Sequence, residues 1–133
     1  MNAGNWLAEY GKNISSQYGE DGIIEKIFEI IPHSRWCVEF GAWDGAHLSN
    51  TTHLLKQKGW SGVLIEGDAN KFDQLRNNYS GHPSVHCIHA WVTLEGTSTL
   101  GDILAGTPIP KDFDLLSIDI DGNDYHVWKS LVA

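Results

Sequence analysis

Apolar positions in this chain come in short blocks whose spacing alternates between that of a helix and that of a buried strand. Ile23, Ile24, Ile27, Phe28 and Ile31 fall at i, i+1, i+4, i+5 and i+8, one stripe of a helix. Glu25, Lys26 and Glu29 take its outer side and Pro32 ends it, so a helix is predicted over about 20–31. Arg35 to Phe40 is a short apolar run closed by Gly41 and predicts a buried strand. His47 to Lys58 predicts a helix with Leu48, Thr51, Thr52 and Leu55 on one face and Gly59 as a left-handed C-terminal cap. Gly62 to Glu66 is a second strand, and Asn70 to Tyr79 a second short helix with Phe72, Leu75 and Tyr79 inward. Gly81-His82-Pro83 breaks that helix, and Val85 to Ile88 follows as a third strand. Thr99 with Asp102 has the form of a capping box opening a brief helix through Leu100, Ile103 and Leu104. Phe113 to Asp119 is a fourth strand, and a last helix starts near Asn123. Residues 1–18 have no clear period, with Trp6, Leu7 and Tyr10 as a loose N-terminal cap.

The order is therefore helix, β-α-β-α-β-α-β, and a final helix. Such alternation implies right-handed crossovers and a parallel sheet covered on both faces. The strands are continuous apolar runs, as expected when both faces are buried. The fold class is α/β, a doubly wound parallel sheet.

At 133 residues the chain holds a single domain. Seventeen acidic against nine basic residues give a net charge of −8, and the basic residues are scattered singly. That argues against nucleic acid, whose binding begins from clustered Lys and Arg, and suits a cationic or neutral small ligand. No apolar stretch approaches the roughly 18 residues needed to span a bilayer, and no basic-then-apolar leader opens the chain. A soluble, cytoplasmic protein is expected. Cys37 and Cys87 read as reduced structural thiols on different strands. Among the six tryptophans, Trp36, Trp60 and Trp128 are expected in the core, and Trp43 and Trp91 beside a pocket.

In open parallel sheets ligands bind beyond the carboxyl ends of the strands. Those ends carry Glu39-Phe40-Gly41-Ala42-Trp43-Asp44-Gly45, Glu66-Gly67-Asp68, His89-Ala90-Trp91 and Asp119-Ile120-Asp121-Gly122. The plain alternative is that these carboxylates cap the helices that follow. A dinucleotide turn wants G-x-G-x-x-G, but Trp43 stands at its second glycine and Ala46 at its third. An indole there obstructs a pyrophosphate and disfavours NAD or FAD, and no G-K-[ST] P-loop occurs. S-adenosylmethionine has a ribose, a positive charge and no phosphate, and suits the site better. Glu66 at the end of the second strand can accept the ribose hydroxyls; Glu39 and the backbone amides of the glycine turn can hold the amino-acid end. Asp119 and Asp121 stand two apart beyond the fourth strand, and either could take an acceptor proton or hold its hydroxyl. The competing role for Asp119 is to accept amides of the following turn. The Asp119–Asp124 run does not match a calcium loop, and His82, Cys87, His86 and His89 do not converge for zinc.

Val38-Glu39-Phe40-Gly41-Ala42-Trp43-Asp44-Gly45 looks like the first motif of class I methyltransferases. With Ser16-Gln17-Tyr18-Gly19-Glu20-Asp21-Gly22 before it and Ser117-Ile118-Asp119-Ile120-Asp121-Gly122-Asn123-Asp124 after it, the pattern resembles the FkbM-like methyltransferases. The resemblance runs from about residue 16 to the end. It implies a Rossmann-like sheet, S-adenosylmethionine as cofactor, and O-methyl transfer to a small-molecule or sugar hydroxyl. By position it implies that Glu39, Gly41 and Gly45 hold the methionine part and Glu66 the ribose, with Ala90 and Trp91 near the adenine; Ala42 and Trp43 of the same turn are also expected to bind the cofactor, Trp43 by stacking on the adenine or closing over the ligand. The family's sheet has the strand order 3-2-1-4-5-7-6, and this chain stops just after the fourth strand. A truncated domain is therefore expected, with strands 3-2-1-4 present and strand 4 as an exposed edge that a second copy of the chain would cover. The competing reading is a non-catalytic remnant serving as an oligomeric binding module.

Overall fold

The computed structural model describes residues 4–120 and 122–132. A 3₁₀ turn over Trp6–Tyr10 leads to α1 (Glu20–Ile30), β1 (Trp36–Phe40), α2 (Thr52–Gln57), β2 (Ser61–Glu66) and α3 (Ala69–Asn78). Then come β3 (Val85–His89), α4 (Leu100–Ala105), β4 (Leu115–Ile118) and α5 (Asp124–Val132). The strands form one parallel sheet in the order β3-β2-β1-β4. The fold is the expected α/β Rossmann-like one, with the chain reversing direction across the sheet between β1 and β4.

Register fixes which side chains share a face. Val38 pairs with Val63 and Phe40 with Ile65, and these four pack with Leu100 and Leu104 of α4 and Val127 of α5. Cys37 and Leu64 point the other way, into Leu54 and Leu55 of α2 and Leu75 and Tyr79 beside α3, with Ile24 and Phe28 of α1 against them. Period-two alternation then puts Glu39 and Glu66 on this second face, at the carboxyl end of the sheet. Gly62 is required for packing there: a Cβ would meet Leu55 Cδ2 at 2.7 Å and the Cys37 carbonyl at 3.1 Å.

Both central strands are almost wholly buried, whereas β3 and β4 at the edges are half-buried. Among the described residues the outer edge of β4 has no strand partner.

Two expectations are corrected. The helix predicted from His47 begins only at Thr52. Leu48, predicted inward, is 62% exposed with φ +52°, because residues 44–51 wrap around buried carboxylates instead of continuing the helical turn. Trp128, predicted in the core, is 51% exposed; the buried face of α5 is supplied by Val127, one residue earlier. Trp60 is buried at 3% and Trp36 half-buried. Both cysteines are free thiols.

Candidate functional site

Two carboxylates organise the carboxyl end of β1 and β2. Glu66 is 6% exposed. Its Oε2 accepts the Trp43 N–H at 2.7 Å and its Oε1 the Asp68 N–H at 3.0 Å. Glu66 thus binds its own strand end to the turn after β1, and Gly41 and Ala42 N–H both donate to the Ile65 carbonyl at 3.1 and 3.0 Å. An ionised carboxylate oxygen has two lone pairs, so each oxygen of Glu66 keeps acceptor capacity after its one N–H.

Glu39 is the second centre. Ser49 Oγ and Thr51 Oγ1 donate to its Oε2 at 2.7 and 2.6 Å, and the Asn50 N–H donates to Oε1 at 3.2 Å. Burial raises its pKa; the three donors act against that rise. Ser49 Oγ in turn accepts the Thr51 and Thr52 N–H groups at the start of α2. The helix start is therefore built on Glu39.

The glycine turn is shaped by packing as much as by any ligand. Gly41 has φ +76°, and a Cβ there would stand 2.5 Å from the Asp119 carbonyl oxygen; only glycine allows β1 and β4 to exit this close together. Gly45, also at positive φ, faces α3: a Cβ would meet Leu75 and Tyr79 side chains at 2.5 and 2.6 Å. Its carbonyl accepts from Thr52 Oγ1 and Tyr79 Oη. Gly45, expected to touch the methionine part, thus turns away from the groove. Most of the turn's amides are committed as well: the Gly45 N–H goes to Ala42 and those of Ala46 and His47 to Asp44. The expectation that these amides grip a carboxylate meets donors already in use, and a pyrophosphate cradle lacks donors for the same reason.

A groove of about 260 Å³ lies over this turn, lined by Glu39, Gly41, Ala42, Trp43, His47, Leu48, Ser49, Asn50 and Asp119. Its lining has two carboxylates and no Lys or Arg. Trp43 is half-exposed at its edge, with Lys71 Nζ of α3 4.4 Å from the ring centre. Ala90 donates its N–H to the Glu66 carbonyl, and Trp91, 72% exposed, lies against Gly67, where a Cβ would meet the indole at 2.4 Å. Of the expected residues, Glu39, Gly41, Ala42, Trp43 and Asp119 line the groove; Glu66 does not line it but is bonded to the Trp43 N–H, and Ala90 and Trp91 lie beside Glu66 and Gly67. Asp121 lies outside the described residues.

The motif at residues 16–22 reaches this region too. Asp21, 2% exposed, accepts the N–H groups of Ile14, Ser15 and Ser16 on Oδ2. The segment so held places Ser15 Oγ 3.2 Å from the Ser49 carbonyl. His47 was missed from sequence, because a helix was expected to begin there. The available signal was Asp44, three residues ahead of it and able to fold the turn back onto itself. Among the described residues no group of three or more His, Cys, Asp or Glu gathers as a metal site, and no helix is long and apolar enough to cross a membrane.

No protein-family model matches the chain, and no curated protein sequence matches it. Solved structures do. EvdMO1 aligns over 92% of this chain at 19% identity with a TM-score of 0.57. The CurJ carbon methyltransferase aligns over 84% at 11% identity with a TM-score of 0.56. These likenesses establish a shared fold. The N-terminal domain of EvdMO1 with SAH bound aligns over 62% of this chain at 25% identity, with a TM-score of 0.46. The chain spans about a third of the length of these relatives, 34%, 29% and 28%.

Proposed function

We propose that this chain binds S-adenosylmethionine at the carboxyl end of β1 and β2 and forms part of an FkbM-like methyltransferase domain acting on a hydroxyl of a small molecule or sugar. The observation that carries this reading is the Glu66 carboxylate, bonded to the Trp43 N–H yet with acceptor capacity left on both oxygens. A vicinal diol is the group such a carboxylate takes best, because two hydroxyl donors match two oxygens. The residues also fit the rest of the ligand. Glu39 and Asp119 line a groove without Lys or Arg, which favours a cation, and Trp91 beside Gly67 offers an aromatic face for a base.

In this reading Glu66 holds the ribose and Trp91 with Ala90 borders the adenine. Gly41, Ala42 and Trp43 form the floor under the methionine part, with Glu39 keeping the 49–51 loop in place. When bound, the cofactor supplies a methyl group on positively charged sulfur. Asp119, at the exit of β4, lines the same groove, where it can orient an acceptor hydroxyl. CurJ is a carbon methyltransferase by name, so the oxygen acceptor rests on the sequence resemblance alone.

Calorimetric titration with S-adenosylhomocysteine tests the reading. Saturable one-to-one binding that Glu66→Ala weakens is expected. An absence of heat at millimolar ligand overturns it.

A further inference from the structure

His47 stands at the lip of the groove with its ring 81% exposed, while the Asp44 side chain behind it is 9% exposed. Asp44 Oδ1 accepts the Ala46 and His47 N–H groups at 3.0 and 2.9 Å, and Oδ2 lies 2.5 Å from His47 Nδ1. Burial pushes the Asp44 carboxyl up, but the His47 backbone and ring and the Ala46 N–H together outweigh this and bring it below its ordinary value. Asp44 is therefore ionised at neutral pH, and an ionised carboxylate only accepts hydrogen bonds. A ring proton on Nδ1 meets that carboxylate, and in this tautomer the imidazole lone pair is on Nε2.

We propose that His47 Nε2 is the general base that removes the proton of the acceptor hydroxyl, and that Asp44 is the positioning residue that fixes its tautomer. This rests on the cofactor reading above. It assigns the acceptor to compounds whose nucleophilic atom must lose a proton, and it moves the base from Asp119 to His47 on the same groove. As the acceptor oxygen bonds to the methyl carbon, the carbon–sulfur bond breaks and its electron pair stays on sulfur. The hydroxyl proton passes to Nε2, and the imidazolium later releases it to water. An imidazole is the better base of the two, because its basicity as a class lies nearer neutral pH than a carboxylate's. The charged groups around His47 are Asp44 in its own loop, Glu39 from β1 and Asp119 beyond β4, with Lys71 of α3 held over the Trp43 ring.

A role as a mere loop clamp makes different predictions. Imidazole nitrogen spectra of the ¹⁵N-labelled protein without ligand should give the Nδ1–H tautomer for His47, identified by its loss in His47→Gln. Asp44→Asn, whose amide can donate to the ring, should convert that signal to the Nε2–H form. With labelled S-adenosylmethionine and a deproteinised extract of the source cells as acceptor, both variants should slow product formation by about 10²–10⁴-fold. Both should still bind S-adenosylhomocysteine within about threefold of the native protein. An Nε2–H tautomer in the native protein, or a His47→Gln rate within about threefold of native, overturns the assignment alone. Failure of the native protein to bind S-adenosylhomocysteine overturns the cofactor reading and this assignment with it, whereas binding with no labelled product overturns this assignment alone. His47 is exposed, so His47→Gln gives a folded variant even if Asp44→Asn does not.

Discussion

The Glu66 carboxylate accepts the Trp43 N–H at 2.7 Å, so the acidic end of β2 and the turn after β1 form one unit. Replacing Glu66 by Gln turns one of its two acceptor oxygens into a donor, so one ribose hydroxyl of the proposed complex loses its charged acceptor. Loss of a charge-assisted hydrogen bond costs about 1.5–3 kcal/mol, which is about 10–100-fold in affinity. Glu66→Gln should weaken S-adenosylhomocysteine binding by that factor in calorimetry. Unchanged affinity would mean that the carboxylate serves the turn and not a ligand.

Gly41 and Gly59 both have positive φ, but only Gly41 is crowded. At Gly41 a Cβ meets the Asp119 carbonyl at 2.5 Å, whereas at Gly59 nothing lies within 4 Å. Gly59→Ala should cost about 1 kcal/mol of backbone strain. Gly41→Ala adds a clash with backbone and should cost about 3 kcal/mol or more. Denaturant unfolding of the two variants checks the order, and equal costs would refute the claim of close approach.

Asp21 gathers three backbone N–H groups on one oxygen. Burial raises its pKa, but the hydrogen bonds from Ser15, Ser16 and Ile14 win and leave it below 3.8. A folded-state pKa below the unfolded one gives stability that is complete above about 3.8 and fades as pH falls through the folded value. Asp21→Asn should therefore lose about 2 kcal/mol at neutral pH. The gap to the native protein should close in acid, as thermal melts at pH 7 and pH 2 would reveal.

The two thiols should differ in reactivity. Cys37 is fully buried and burial pushes its thiol well above the ordinary range, while Cys87 is half-buried and less enclosed. Because the thiolate is the reactive form, a disulfide exchange reagent at pH 8 should leave Cys37 unmodified in the native protein and label Cys87 slowly. Both should react at once in denaturant. Rapid native labelling of Cys37 would contradict its place on β1 beneath Leu54 and Leu55 of α2.

Strand and helix identities were legible because burial on two faces demands unbroken apolar runs, as in Val63-Leu64-Ile65, and because Pro32 and Gly59 punctuate them. The His47–Lys58 region misled for a physical reason. Its polar residues suit a helix start, yet Ser49 and Thr51 bond to Glu39, a residue distant in sequence from both. Gly45 shows the same dependence on tertiary packing, because the space a Cβ would take there is filled by the Leu75 and Tyr79 side chains. For His47 the linear signal was Asp44 three residues earlier, and only the folded turn shows that the ring meets that carboxylate.

The order of elements, the parallel sheet and the row of carboxylates at strand ends were set by the sequence itself, through hydrophobic periodicity and the cost of burying charge. Which of those carboxylates hold the protein's own backbone and which keep lone pairs for a ligand was decided only in three dimensions, since hydrogen bonds between β1, β2 and the 44–51 loop depend on register and distance that no linear pattern encodes.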